Sequence, residues 1–154
     1  MRTAITIPVT ELLPHTSGMR LIDRVIEGDG ESLVAEAEIG GNNLFFDGTG
    51  VGGWVGIEYM AQTVGAWAGW QARLHGRPPP IGFLLGTRHY EAQRAMFAVG
   101  QKLRIEVRRV YHAENGLGQF ECRIECDGAS VATAALTVFE PPDPEAFLQA
   151  MANG

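Results

Sequence analysis

Apolar and polar positions divide the chain into short alternating stretches on either side of one long apolar run. Residues 3–9 alternate weakly, which suits an edge strand, and Leu12-Leu13-Pro14-His15 breaks it, because the residue before a proline is pushed out of helical backbone. Arg20 to Glu27 reads as a strand, Asp29-Gly30 as a turn, and Ser32 to Ile39 as the hairpin partner. A glycine-rich loop from Leu44 to Gly53 leads into the apolar run, which predicts a helix over 54–75, stopped by Gly76-Arg77-Pro78-Pro79-Pro80. That helix is apolar nearly all round, so it is wrapped by other structure, and Gly56, Ala61, Gly65, Ala66, Ala68, Gly69 and Ala72 let a sheet come close. The segments 81–90, 102–112, 117–126 and 129–139 then read as strands, with hairpin signals at Asn115-Gly116 and Asp127-Gly128. A short capped helix over 144–152 ends the pattern. Two strands, a buried helix and four more strands predict a single α+β domain over residues 1–154, an antiparallel sheet curled around one helix.

Charge narrows the partners. Twelve basic against eighteen acidic residues give a net charge of −6, which argues against nucleic acid. An acidic carrier protein would need a local basic patch, which Arg88, Arg94, Arg104, Arg108 and Arg109 could supply, although a solvated strand face is the favoured reading of each. The N-terminus has no apolar segment of signal-peptide type, and the run after Gly53 carries Glu58, Gln62, Thr63 and three glycines, a poor membrane span, so a cytoplasmic protein is expected. Cys122 and Cys126 fall on one strand face with Phe120 and Ile124 and read as buried free thiols rather than zinc ligands, since no second ligand pair has suitable spacing. Neither a dinucleotide fingerprint nor a phosphate-binding loop occurs, and no metal or other cofactor is expected.

One carboxylate stands out. Glu58 lies inside the apolar run with no basic residue before Arg73. Burying it would be costly unless it were paired or neutralised, and groups held at such a cost often do chemistry. The plainer reading is a solvent-facing Glu that suits the positive end of a helix dipole.

Leu13-Pro14-His15 with Leu21-Ile22-Asp23-Arg24-Val25, then Asn43-Leu44-Phe45-Phe46-Asp47-Gly48, Glu58-Tyr59-Met60-Ala61-Gln62 and Phe97-Ala98-Val99-Gly100-Gln101-Lys102-Leu103, fall in an ordered series over roughly residues 12–139. In that order they resemble the bacterial 3-hydroxyacyl-ACP dehydratases of the hotdog fold, and within them a divergent branch of polyene and polyketide-type clusters. The resemblance implies a hotdog dimer with acyl-thioester sites at the interface, fed by acyl carrier protein or CoA thioesters. It implies that Glu58 is the catalytic carboxylate, that the Gly53 backbone N–H polarises the thioester carbonyl, and that Gln62 orients Glu58 from one turn away. Gly53 serving chain geometry alone and Gln62 serving helix packing remain open. Thr49, Phe45, Phe46, Phe83 and Leu84 are candidate substrate-binding residues, with Leu85 beside them, although core packing explains the apolar ones equally well. Trp54, Trp67 and Trp70 read as core or interface residues.

The chain departs from the family at one place. Where the dehydratases carry a histidine in Gly-His-Phe-Pro, this sequence reads Gly48-Thr49-Gly50-Val51. Dehydration needs a base for the C2 proton and an acid for the leaving hydroxyl, work that two groups share most easily. His75, at the helix end, and His112, at a strand end, read as surface or packing residues, leaving His15 and His89 as the two to mutate. Three functions therefore compete: a dehydratase with a rebuilt acid/base set, an acyl-CoA or acyl-ACP thioesterase relying on Glu58 and Gly53, and a non-catalytic subunit of an active dehydratase. The dehydratase ranks first because the motif order extends well beyond the helix. The assembly is expected to be a homodimer or larger, or a hetero-oligomer with another dehydratase.

Overall fold

The computed structural model describes residues 2–13, 20–40, 45, 47–78, 80 and 82–153. Its strands are β1 (Thr3–Ala4), β2 (Arg24–Gly28), β3 (Ser32–Glu38), β4 (Gly50–Gly52), β5 (Phe83–Ala92), β6 (Met96–Ala98), β7 (Lys102–His112), β8 (Leu117–Cys126) and β9 (Ala129–Phe139). The helices are α1 (Gly56–Leu74), entered through a 3-10 turn at Gly53–Val55, and α2 (Pro144–Asn153). Seven strands form one antiparallel sheet in the order β1-β2-β3-β7-β8-β9-β5, and β4 pairs with β6 in a separate ribbon. The large sheet wraps α1, the hotdog arrangement implied by the sequence resemblance.

Period-two burial places the core. On β8, Gly118, Phe120, Cys122, Ile124 and Cys126 are buried while Glu121 and Arg123 face out, and Leu103, Ile105 and Val107 do the same on β7. Each large apolar side chain hidden this way contributes about 1.5–3 kcal/mol. From α1, Tyr59, Met60, Val64, Ala66, Trp67 and Trp70 point into that core, with Trp67 edge-on to Phe120 at 5.5 Å between centroids. The helix is keyed to the first hairpin by one carbonyl: Asp29 O accepts from Trp67 Nε1 at 3.2 Å and from Gln71 Nε2 at 2.9 Å. The Asp29 carboxyl meanwhile accepts from the Glu31 and Ser32 amides and the Ser32 hydroxyl. Burial pushes its pKa up, but these bonds and the Arg2 charge outweigh it and hold the carboxyl below the usual range.

Several boundaries differ from the sequence expectation. The strand expected from Arg20 begins at Arg24. Before it, the chain turns to the helix, where Leu21 N–H donates to Gln62 Oε1. The glycine-rich loop contains β4, and its partner β6 was not expected. Two of the candidate arginines sit on a paired strand face: Arg104 meets Glu27 at 3.4 Å, and Arg109 meets Glu31 at 3.2 Å while stacking on Trp67. Such exposed pairs are worth little individually.

Both cysteines are buried free thiols, and burial, aided by the Glu121 charge, pushes the Cys122 pKa up to about 12. Since the thiolate is the reactive form, Ellman's reagent is expected to find no fast-reacting thiol in the native protein and two after denaturation in guanidinium. A rapid native titration of either cysteine would contradict this core placement.

Candidate active site

The first turn of α1 gathers the chemistry. Gly53 is buried, and a Cβ there would overlap the Arg94 carbonyl oxygen, so glycine is required by the close passage of the chain entering β6. Its N–H donates to Ala95 O at 2.9 Å. The amide expected to polarise a thioester carbonyl therefore bonds, in the single chain, to the backbone just before β6. Gly56 follows the same logic, because a Cβ would overlap the hydroxyl of Tyr90 from β5. That hydroxyl donates to Gly53 O, and Gly56 N–H is shared between Gly53 O and the phenol oxygen. Burial raises the Tyr90 pKa, against a smaller opposing effect of the Gly56 amide, so the phenol stays protonated at neutral pH.

Glu58, the third residue of α1, is exposed in the single chain. The burial penalty that made it conspicuous in the sequence is therefore absent, because the sheet covers only one side of the helix. Glu58, Ala61, Gln62, Gly65, Ala68 and Gly69 form a stripe at helical spacing that lines a cleft of about 730 Å³. Leu12 and Leu13 close one flank, and Leu84, Phe120, Val138 and Phe139 supply apolar walls from the sheet. Glu11, Glu140, Arg109 and His112 also line it, and volume and lining suit a small-molecule or acyl-chain site that includes the Glu58 carboxylate.

The other expected residues are scattered. Gln62 lines the cleft but is buried, and its carbonyl oxygen accepts Leu21 N–H at 2.7 Å. Gln62→Ala would strand that amide and is expected to destabilise the fold by about 1–3 kcal/mol in urea denaturation. A change below about 0.5 kcal/mol would mean the bond is dispensable. Thr49 lies outside the cleft lining, its hydroxyl donating to Asp47 Oδ1 at 2.8 Å. The Thr49 amide, then this hydroxyl and the Gly50 amide, hold the Asp47 carboxyl below its usual pKa. Phe45 packs edge-on to Trp54 at 5.6 Å between centroids, also away from the cleft, while Trp54 itself is 67% exposed rather than core. Phe46 and the side chain of Phe83 lie outside the described residues.

The histidines give Glu58 no partner among the described residues. His15 is not among them, and His75 Nδ1 lies 2.8 Å from Gln71 O at the far end of α1. His112 lines the same cleft, which its position at the end of a strand did not reveal. Register keeps it distant from the carboxylate: Gly56 abuts Ile124, Trp67 abuts Phe120, and His112 pairs with Gly118 beyond that. The eleven residue steps of helix from Gly56 to Trp67 span roughly 16 Å. His89 sits in a bulge of β5 with φ 54°.

Comparison with known proteins fits this geometry. The model of the ApeP-like family, described as ApeP dehydratase, matches residues 7–149. The 3-hydroxyacyl-[acyl-carrier-protein] dehydratase FabZ of Brucella ovis is 32% identical over 129 residues, 80% of each chain. The enzyme of that name from Rhizobium johnstonii is 28% identical over 141 residues, 87% of each. Among solved structures, the dehydratase heterocomplex ApeI:P from Xenorhabdus doucetiae superposes with TM-score 0.84 at 30% identity, covering 95% of this chain and 99% of that one. A hypothetical thioesterase from Streptococcus pneumoniae with coenzyme A superposes with TM-score 0.60 at 13% identity over 76% of this chain and 84% of its own, a likeness of fold alone.

Proposed function

The chain belongs to the ApeP-like dehydratases, and we propose that it removes water from 3-hydroxyacyl thioesters with Glu58 as its acid/base group. The observation that carries this reading is Glu58 in the first turn of α1, open to solvent in the lining of that cleft. With the thioester carbonyl over the helix N-terminus, the amides following Gly53 and the dipole stabilise the enolate oxygen. The Glu58 carboxylate takes the C2 proton, and the C2 electron pair becomes the double bond as the C3–O bond breaks. The same carboxyl returns its proton to the departing hydroxyl, which leaves as water. Gln62, one helical turn beyond Glu58 on the same cleft-lining stripe, orients the carboxylate. Leu84 and the small-residue stripe of α1 bind the acyl chain; Thr49, Phe45, Phe46 and Phe83 join only where assembly brings them to the site.

The substrate is carried by acyl carrier protein or CoA, and the chain works in the cytoplasm within an oligomer, either with a second copy or with another dehydratase subunit. Supporting assembly, among the described residues β5 pairs only with β9, and its Leu85 is 58% exposed. An open edge presents backbone N–H and C=O groups ready to pair with another chain. The similar Xenorhabdus structure is a dehydratase heterocomplex, which favours a second subunit. Among the described residues no helix is long and apolar enough to cross a membrane.

Mass spectrometry of a carrier protein loaded with a 3-hydroxyacyl chain tests the reading. Loss of one water supports it, and loss of the whole acyl group points to the thioesterase alternative. A carrier left unchanged by this protein alone, but dehydrated faster by a partner subunit in its presence whether residue 58 is Glu or Gln, would remove the catalytic reading and leave the non-catalytic subunit.

A further inference from the structure

Strand β5 is out of step with β9 over a short stretch. Arg88 opposes Ala135 and Glu91 opposes Thr133, so three steps on β5 match two on β9. Without the extra residue, Tyr90 would oppose Thr133 on the outer face, because a one-residue slip moves a side chain to the other side of a sheet. The bulge instead turns Tyr90 inward against the core, and His89 absorbs the insertion with a left-handed backbone at φ 54°. Bulges re-aim side chains in this way, and left-handed backbone in a non-glycine residue is retained only where the surroundings enforce it. Here the re-aimed hydroxyl reaches the turn that opens α1, bonding Gly53 O and meeting Gly56, two residues before Glu58. Glycine at 56 leaves the room that this hydroxyl occupies.

We propose that Tyr90 is a positioning residue for the dehydration, fixing the Gly53–Gly56 turn so that the helix amides and Glu58 present one geometry to the thioester. The proposal rests on the reading of Glu58 given above. Tyr90 acts through the turn and does not touch substrate. The β5 bulge exists to deliver its hydroxyl.

The test compares Tyr90→Phe, His89→Gly and His89→Val in the assembled protein with the loaded carrier. Tyr90→Phe deletes one oxygen and is expected to lower kcat by roughly tenfold, the scale of one hydrogen bond, with KM within about twofold. Amide hydrogen exchange over residues 54–58 should quicken by a similar factor while the middle of α1 is unchanged. His89→Gly keeps the left-handed backbone accessible and should retain the wild-type kcat. His89→Val resists that backbone and should reproduce the Tyr90→Phe loss. Unchanged kcat and exchange in Tyr90→Phe would overturn the proposal. So would equal damage from His89→Gly and His89→Val, or a fall in melting temperature and a rise in KM without a fall in kcat. An active Glu58→Gln variant would instead defeat the assignment of Glu58, while the exchange experiment would still report on the turn.

Discussion

Replacing Glu58 by Gln is expected to leave a folded protein whose dehydration rate has fallen by about 10²–10⁴-fold, the range for loss of a positioned acid/base group. The upper part of that range is expected, because no histidine among the described residues stands by Glu58 and one carboxyl moves both protons. Gln keeps the shape and some hydrogen bonding but can neither accept the C2 proton nor return it. Stability should barely change. Glu58 is exposed in the single chain, and losing a negative charge at a helix N-terminus costs about 0.3–1 kcal/mol. Single-turnover discharge of the hydroxyacyl carrier measures the first effect and thermal melting the second. A Gln variant keeping a tenth of the wild-type rate would show that another group does the chemistry.

The largest expected effect on stability lies at Phe97. This side chain is fully buried on β6, edge-on to Tyr59 at 6.4 Å between centroids, on a strand paired with β4. Phe97→Ala removes its packing and leaves a cavity, at about 3–5 kcal/mol. Against a total stability of about 5–15 kcal/mol for a typical domain, that is a large fraction. Activity should fall beyond the folded fraction, because the chain just before β6 supplies the carbonyls that meet Gly53. Urea denaturation followed by tryptophan fluorescence measures the change. A loss under about 1 kcal/mol would show that the ribbon collapses onto the helix without strain.

The long elements were legible because their period persists. Strands β7, β8 and β9 alternate over ten or eleven residues and begin and end where the turn glycines predict. β4 and β6 were not legible, since three residues carry no period and glycines flank Val51. For Glu58, the sequence showed a charge among apolar neighbours, but which side of the helix the sheet leaves uncovered is a property of the whole fold. The reason for Gly53 was equally hidden: the atom that a Cβ would strike belongs to Arg94, forty-one residues away. Tyr90 only closed the expected strand over 81–90, and it is the register with β9 that shows it turning inward.

Of the two glycines in the opening turn, Gly53 is fixed by overlap with the Arg94 backbone and Gly56 leaves room for the Tyr90 hydroxyl, whatever reaction the site performs. Descent should therefore treat them differently from the carboxylate. A sister protein that had become a pure scaffold could discard Glu58 freely, yet a side chain at position 53 would still collide with the strand behind it. Shared glycines there record a common architecture. Only the fate of position 58 follows the chemistry.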